Sequence, residues 1–369
     1  MGLFEWGRRP GSLRCDGREG RSQLLSGANR PVHVVVAGVP RGYQNPDPDG
    51  HWLREHHIRQ IEAVSPRVRL VHTTRGELDR DILPDVGAEV LLLEAGVDEW
   101  YGNEIPVDGF AKLVTPNLRW MQACSSGVGH ILGTGLLPDD VILTNAAGVH
   151  ADALGESVMA AALLHAKRLR TRIENQATRT WQELHCDELR GRTMAVLGTG
   201  NIGSAAARLA SAFRMQLIGV RRNPRPAEYF QRVVGPSDLL AVLPETDYLV
   251  IACPLTPETE GMIGAAELDA IKPGAYLINV SRGKIVQEQP LLDALRSGKL
   301  SGAFLDAHAE EPLPDDHPFW DAPGVTVIPH DSHSSPYIGD NIIDLFTDNL
   351  RRYLAGEPLR NVIDREQGY

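Results

Sequence analysis

Glycines at positions 198, 200 and 203 give the spacing G-x-G-x-x-G between the apolar run Thr193–Leu197 and a stretch rich in Ala and Leu. Strand, glycine turn and helix in that order make a cradle for a pyrophosphate. Gly198 permits the tight turn, Gly200 lets backbone approach the phosphates, Gly203 lets the helix lie close on its strand, and the helix N-terminus faces the negative charge. The next strand, Gln216–Val220, ends in Arg221 and Arg222 rather than in the acid that would accept from a free ribose 2′-hydroxyl. Two guanidiniums suit a 2′-phosphate, so the cofactor reading is NADP in preference to NAD; a solvated strand end is the plainer alternative.

More chemistry sits at strand ends further along. Arg282 follows the run AYLINVS, Asp306 follows GAFL, and His330 closes VTVIPH. Packing explains the apolar parts of these runs, but not why three functional groups share the same end. Upstream, residues 123–130, ACSSGVGH, form a loop of small residues after the apolar LRWMQ. Unpaired N–H groups in such a turn can hold a carboxylate.

The elements that must position these groups alternate between β and α. VHVVVAG, VRLVH, EVLLLEA and LRWMQAC are separated by polar amphipathic stretches, and so are YLVIACPL, AYLINVSRG, LSGAFLDA and VTVIPH in the second half. The pattern predicts an α/β protein of two parallel-sheet domains, Rossmann-like and flavodoxin-like, with the active-site cleft between them. Residues 152–169 read as one apolar helix, for the core or a subunit interface, and residues 338–354 as an amphipathic helix returning to the first domain. The expected division is a disordered tail over 1–30, a discontinuous substrate domain of residues 31–146 and 333–369, and a dinucleotide-binding domain over 147–332.

Composition narrows the class. The chain is 42% hydrophobic and 23% charged, with no apolar run of about 18 residues to span a membrane. A net charge of −11 argues against non-specific nucleic-acid binding. Cys15, Cys124, Cys186 and Cys253 are far apart and form no C-x-x-C pair, which indicates neither a disulfide framework nor a zinc site and fits a reducing cytoplasm. His51, His56 and His57 gather on or beside one predicted helix, but no carboxylate or cysteine completes a ligand set, so no metal is expected.

Taken together, VLGTGNIG, INVSRGKIVQEQPLLDALRSGKL, GAFLDAHAEEPLP, VTVIPH and NLRRYLAGEPLRNVIDREQGY, in this order and spacing, resemble the D-isomer-specific 2-hydroxyacid dehydrogenase family, especially its NADP-dependent glyoxylate/hydroxypyruvate reductase-like members. The resemblance covers residues 31–369. It implies hydride transfer between NADP(H) and a small 2-oxoacid or D-2-hydroxyacid, a homodimer, and a catalytic set of Arg282, Glu311 and His330. Arg282 would hold the carboxylate and polarise the carbonyl, and His330 would give the alkoxide its proton. Glu311 would orient the ring and favour its protonated form. The resemblance further implies that backbone amides of Ser126 and Gly127, with Arg282, bind the substrate carboxylate, and that Asp306 contacts the nicotinamide carboxamide. Gly198, Gly200, Asn201, Ile202, Gly203, Arg221, Arg222, Pro254, Thr256 and Val280 would line the cofactor cleft.

Three departures stand out. Gly129 lies where relatives often carry Asp, Asp331-Ser332-His333 replaces a glycine or alanine after the catalytic histidine, and residues 94–100, EAGVDEW, differ from the Trp-containing loop of the reductases. They leave two other readings open: a dehydrogenase of a specialised or non-carboxylate anion of the phosphonate or phosphite type, and a dinucleotide-sensing, corepressor-like interaction protein. Steady-state kinetics are expected to give a clearly higher catalytic efficiency with NADPH than with NADH. A preference for NADH removes the reading of Arg221 and Arg222.

Overall fold

Runs of Val, Leu and Ile that are apolar at consecutive positions need cover on both faces, as the strands of a parallel sheet do. The computed structural model describes residues 30–37, 53–73, 87–93 and 107–365. Of the expected tail it includes only Arg30; His51 and residues 94–100 also lie outside the described residues. Strands β1 (Val32–Ala37), β2 (Val68–Thr73), β3 (Val90–Leu93), β4 (Trp120–Ala123) and β5 (Ile142–Thr144) pair in parallel in the order β2-β1-β3-β4-β5.

The two faces of this sheet take different cover. Val34, Val36, Val90, Leu92 and Trp120 receive Ile338, Ile342, Ile343, Phe346 and Leu350 of the helix Ile338–Ala355. The rings of Trp120 and Phe346 stack with centroids 5.2 Å apart. Val35, Leu91, Leu93, Met121 and Leu143 pack on Phe110 and Leu113 of the helix Val107–Leu113 and on Ile131. Past Gly356 the chain returns along the sheet edge, where Val362 bridges Thr144 in antiparallel fashion.

The second sheet contains β6 (Thr193–Leu197), β7 (Gln216–Val220), β8 (Arg232–Val234), β9 (Tyr248–Ile251), β10 (Ala275–Asn279), β11 (Leu300–Leu305) and β12 (Val325–Val327). Their order is β12-β11-β10-β9-β6-β7-β8, with every pair parallel. The order reverses between β6 and β9, and a crevice opens at the carboxyl ends of strands at such a switch point. The helix Asn201–Ala212 buries Gly203, Ala205, Ala206, Ala207 and Ala210, and packs on the helix Ala151–Ala166. Small residues allow that approach: a Cβ on Gly155 would lie 3.1 Å from Ala205.

Two expectations are corrected. Residues 152–169 do not form one helix; Ala151–Ala166 ends, Arg168 takes a left-handed φ of 49°, and a second helix, Leu169–Ala177, follows with none of its residues buried. The polar LRTRIENQA has no broad apolar stripe to bury, so it leaves the core. The strand expected from VTVIPH stops at Val327, because Pro329 has no N–H for a ladder and His330 takes a φ of 55°. Among the described residues no helix is long and apolar enough to cross a membrane.

A methyl on Gly203 would fall on the carbonyl of Gly198, so the helix could not keep its approach to β6. Gly203→Ala is therefore expected to lower stability by about 1–3 kcal/mol, read as a lower urea midpoint with an unchanged slope. An unaltered midpoint would mean that the helix shifts without cost.

Candidate active site

The glycine turn after β6 is built for close backbone approach. Gly198 has a φ of 97°, and a Cβ there would lie 2.6 Å from the carbonyl oxygen of Ala252. Space is open around Gly200, and the helix beginning at Asn201 directs its first N–H groups toward it. The Thr199 hydroxyl oxygen is buried in this turn with no hydrogen-bond partner. Asn201 reaches back to the crossing between the two sheets, lying 3.0 Å from where a Cβ of Gly148 would stand, while Ile202 packs against the core.

At the end of β7, the Arg221 N–H donates to Val234 O at 3.1 Å, and the Arg222 guanidinium lies 3.5 Å from the Glu258 carboxylate. Glu258 in turn accepts from the Thr256 hydroxyl at 2.7 Å; that bond, with Arg222 contributing less, holds its carboxyl below the usual range. The carbonyl of Pro254 accepts from the Thr259 hydroxyl at 2.7 Å, and Val280 is buried at the end of β10. Cys253, beside Pro254, accepts at its carbonyl from the Ser281 hydroxyl.

The groups expected to do chemistry stand at neighbouring strand ends. After β10, Asn279 accepts the Ser281 N–H and donates to Arg282 O, both at 3.0 Å, which fixes the turn carrying Arg282. Gly283 admits no side chain because the backbone of His308 and Ala309 packs directly on it. From that same backbone the His308 N–H donates to Glu311 Oε1 at 2.8 Å, and Glu311 Oε2 lies 2.7 Å from His330 Nδ1. Glu311 is 10% exposed and His330 32%, so the pair meets solvent mainly on the histidine side. With Nδ1 donating to the carboxylate, Nε2 is the nitrogen left to exchange a proton. Asp306 is buried at the end of β11 and accepts the Ser332 N–H at 3.0 Å; Glu310 is exposed.

The first sheet contributes the Ser/Gly turn after β4. Ser125 Oγ donates to Gly127 O at 2.7 Å, and Arg282 Nη2 lies 3.0 Å from where a Cβ on Gly127 would stand. Arg282, from the other sheet, thus reaches the turn holding Ser126 and Gly127. Gly129 has open space around it. Next to this junction His150 and His333 meet edge to face, with centroids 5.3 Å apart. Burial first, then His333, lowers the His150 pKa to about 4; burial first, then His330, lowers that of His333.

The histidine pair on the helix Glu55–Glu62 does meet a carboxylate, contrary to expectation. Asp340, from the C-terminal helix, lies 2.7 Å from His57 Nε2 and 3.1 Å from His56 Nε2. The Arg54 N–H donates to His57 Nδ1 at 3.2 Å, so Nε2 bears the proton and donates to Asp340. The group fastens one helix to another by hydrogen bonds.

Residues 159–332 match the family model described as D-isomer specific 2-hydroxyacid dehydrogenase, NAD binding domain. Glyoxylate/hydroxypyruvate reductase B of Pectobacterium carotovorum is 32% identical over 301 residues, covering 79% of this chain and 92% of that protein. The chain belongs to the D-isomer-specific 2-hydroxyacid dehydrogenase family. Among solved structures, a D-isomer specific 2-hydroxyacid dehydrogenase from Xanthobacter autotrophicus Py2, in complex with NADPH and MES, is similar with a TM-score of 0.74 and 28% identity, covering 92% of this chain and 100% of that one. An NADPH-dependent glyoxylate/hydroxypyruvate reductase from Sinorhizobium meliloti, in complex with NADP and sulfate, has a TM-score of 0.71 and 27% identity, with 92% and 100% covered.

In this 2-hydroxyacid dehydrogenase, some residues at the site carried no signal in spacing or composition. Glu258 sits in a polar loop and gains meaning only from Arg222 beside it. His150 and His333 come from separate crossings between the sheets.

The buried His150 has a consequence for acid stability. Its ring takes a proton near 6.5 in the unfolded chain but only near 4 in the folded one, so the unfolded state holds the extra proton between these values and stability falls as pH drops through them. Between pH 7 and 5 the loss from this ring is about 1–2 kcal/mol. Urea unfolding of His150→Asn should show a shallower decline over that range. An equally steep decline in both proteins would assign the acid sensitivity to other groups.

Proposed function

We propose that this protein is a reductase of small 2-oxoacids, using NADPH and forming the D-2-hydroxyacid. The observation that carries the reading is the convergence of Arg282 and the 2.7 Å Glu311–His330 pair, from one sheet, on the Ser126–Gly127 turn of the other. The names and bound cofactors of the relatives support the same reaction. The residues fit the cofactor: an open glycine turn, an orphaned Thr199 hydroxyl within it, and Arg221 and Arg222 at the next strand end for a 2′-phosphate.

Bound NADPH supplies the hydride. Arg282 holds the substrate carboxylate and polarises the carbonyl with a fork of donors that stays charged at any working pH. Amides of Ser126 and Gly127 take the rest of the carboxylate's charge. His330 Nε2 gives its proton to the oxygen that becomes the hydroxyl, and Glu311 keeps the ring turned so that Nε2 faces the substrate. Asp306 holds the Ser332 N–H and so steadies the segment after His330, in addition to its expected place at the nicotinamide carboxamide.

We read residues 31–146 and 333–369 as the substrate domain and 147–332 as the dinucleotide-binding domain; the separate cores under the two sheets support this division. Trp181 and Ile173, 100% and 65% exposed beside the helix Leu169–Ala177, support a homodimer buried through this region. No disulfide joins Cys124, Cys186 or Cys253 among the described residues, which agrees with a reducing cytoplasm. The phosphite-type and corepressor-like alternatives have no observation in their favour.

Loss of NADPH absorbance across glyoxylate, hydroxypyruvate, pyruvate and phenylpyruvate tests the reading. Turnover of at least one oxoacid is expected, with kcat lowered roughly 10²-fold or more in Glu311→Gln and further in His330→Ala, and with NADPH binding retained. Silence across the panel with NADPH still bound would overturn it.

A further inference from the structure

The carbonyls of the Ser/Gly turn are all engaged from within the first sheet's own loops. Ser125 O accepts the Ala146 N–H at 3.0 Å, Ser126 O accepts Asn145 Nδ2 at 2.7 Å, and Gly127 O accepts Ser125 Oγ at 2.7 Å. In a trans peptide the N–H of one residue points opposite to the carbonyl of the residue before it. Holding Ser126 O therefore aims the Gly127 N–H away from Asn145. Among the described residues, the N–H groups of Ser126 and Gly127 have no acceptor, and Arg282 reaches the same turn.

Asn145 follows β5 as this turn follows β4, and it is buried. Its Oδ1 accepts the Ala147 N–H at 3.1 Å, so the orientation of its amide is set and Nδ2 is the donor to Ser126. A second asparagine locks its backbone: Asn145 N–H donates to Asn361 O at 3.1 Å, and Asn361 Nδ2 donates to Asn145 O at 3.2 Å and Ala147 O at 2.9 Å. Asn361 holds a φ of 57°, which asparagine tolerates better than most residues. Its segment is fixed in turn by Asn349, whose Oδ1 accepts the Arg360 N–H at 2.8 Å and whose Nδ2 donates to Gln122 Oε1 of β4 at 3.1 Å.

We propose that Asn145, locked by Asn361 of the C-terminal segment, is a positioning residue for the substrate carboxylate, acting by holding Ser126 O so that the Gly127 N–H faces the anion. This rests on the 2-oxoacid reading above. The segment that follows the C-terminal helix thereby becomes part of the substrate site without touching substrate.

The test is steady-state kinetics and oxalate titration of the NADPH-loaded protein. Asn145→Asp keeps the shape but replaces the donor with a carboxylate that repels Ser126 O; KM for the oxoacid and the dissociation constant of oxalate are each expected to rise roughly tenfold, with NADPH affinity within about twofold of wild type. Asn361→Gly keeps the backbone angle, removes only the two side-chain bonds, and is expected to raise both values roughly threefold. It decides the matter alone if Asn145→Asp does not fold. A lowered melting temperature with KM and oxalate affinity unchanged would overturn the proposal and leave Asn145 a purely structural residue. Should the wild type turn over no 2-oxoacid, the reductase reading falls by itself, and the oxalate titration still decides the role of Asn145.

Discussion

The close approach of Arg282 to Gly127 is the constraint on which the rest of the site depends. A guanidinium from the second sheet comes within 3.0 Å of the position a Cβ would take on a turn of the first sheet. Glycine at 127 leaves that space open, and an extended backbone at Arg282, set by Asn279 and by the packing of Gly283 on His308, aims the side chain into it. Because His308 also donates to Glu311, the same backbone contact that directs Arg282 settles the carboxylate that meets His330. One packing contact thus settles both the guanidinium of Arg282 and the Glu311–His330 pair.

Much of this was legible in the sequence because parallel strands buried on both faces are apolar along their length. Their carboxyl ends are then marked by an abrupt polar residue. Arg282, Asp306 and His330 announced themselves in that way, and Gly198, Gly200 and Gly203 by a spacing with a steric cause. What failed was information carried by pairs distant in the chain. Asp340 meets His56 and His57 across a separation no local pattern can encode, and Asn145 draws its role from Asn361. The break at Arg168 was missed for another reason: residues 152–169 keep enough Ala and Leu to read as helix, while the loss of burial that lets the chain turn is a tertiary fact.

The polar groups beneath the Ser/Gly turn also account for why so much buried hydrogen bonding is kept in an otherwise apolar sheet. Trp120, Thr144, Gln122 and Asn349 form a buried chain, with Trp120 Nε1 donating to Thr144 Oγ1 at 2.8 Å and Thr144 Oγ1 to Gln122 Oε1 at 2.8 Å. Apolar residues of similar volume would pack there at less risk, since each unsatisfied member of such a chain is costly. The chain ties β4 and β5 to the C-terminal helix in a single register, and the loops leaving those two strands carry the Ser/Gly turn and Asn145.

Charge at the site follows from burial as well as from residue type. Arg282 is exposed, whereas Glu311 faces the imidazole of His330 and the N–H of His308. Asp306 is likewise engaged, by Ser332, and burial keeps His150 and His333 neutral at ordinary pH. A charge on His333 would act against one on His330, and a charge on His150 against one on His333. Keeping them dry removes that competition, at the cost of acid stability. The two buried imidazoles therefore add no positive charge at ordinary pH next to the junction of Arg282 and the Ser/Gly turn.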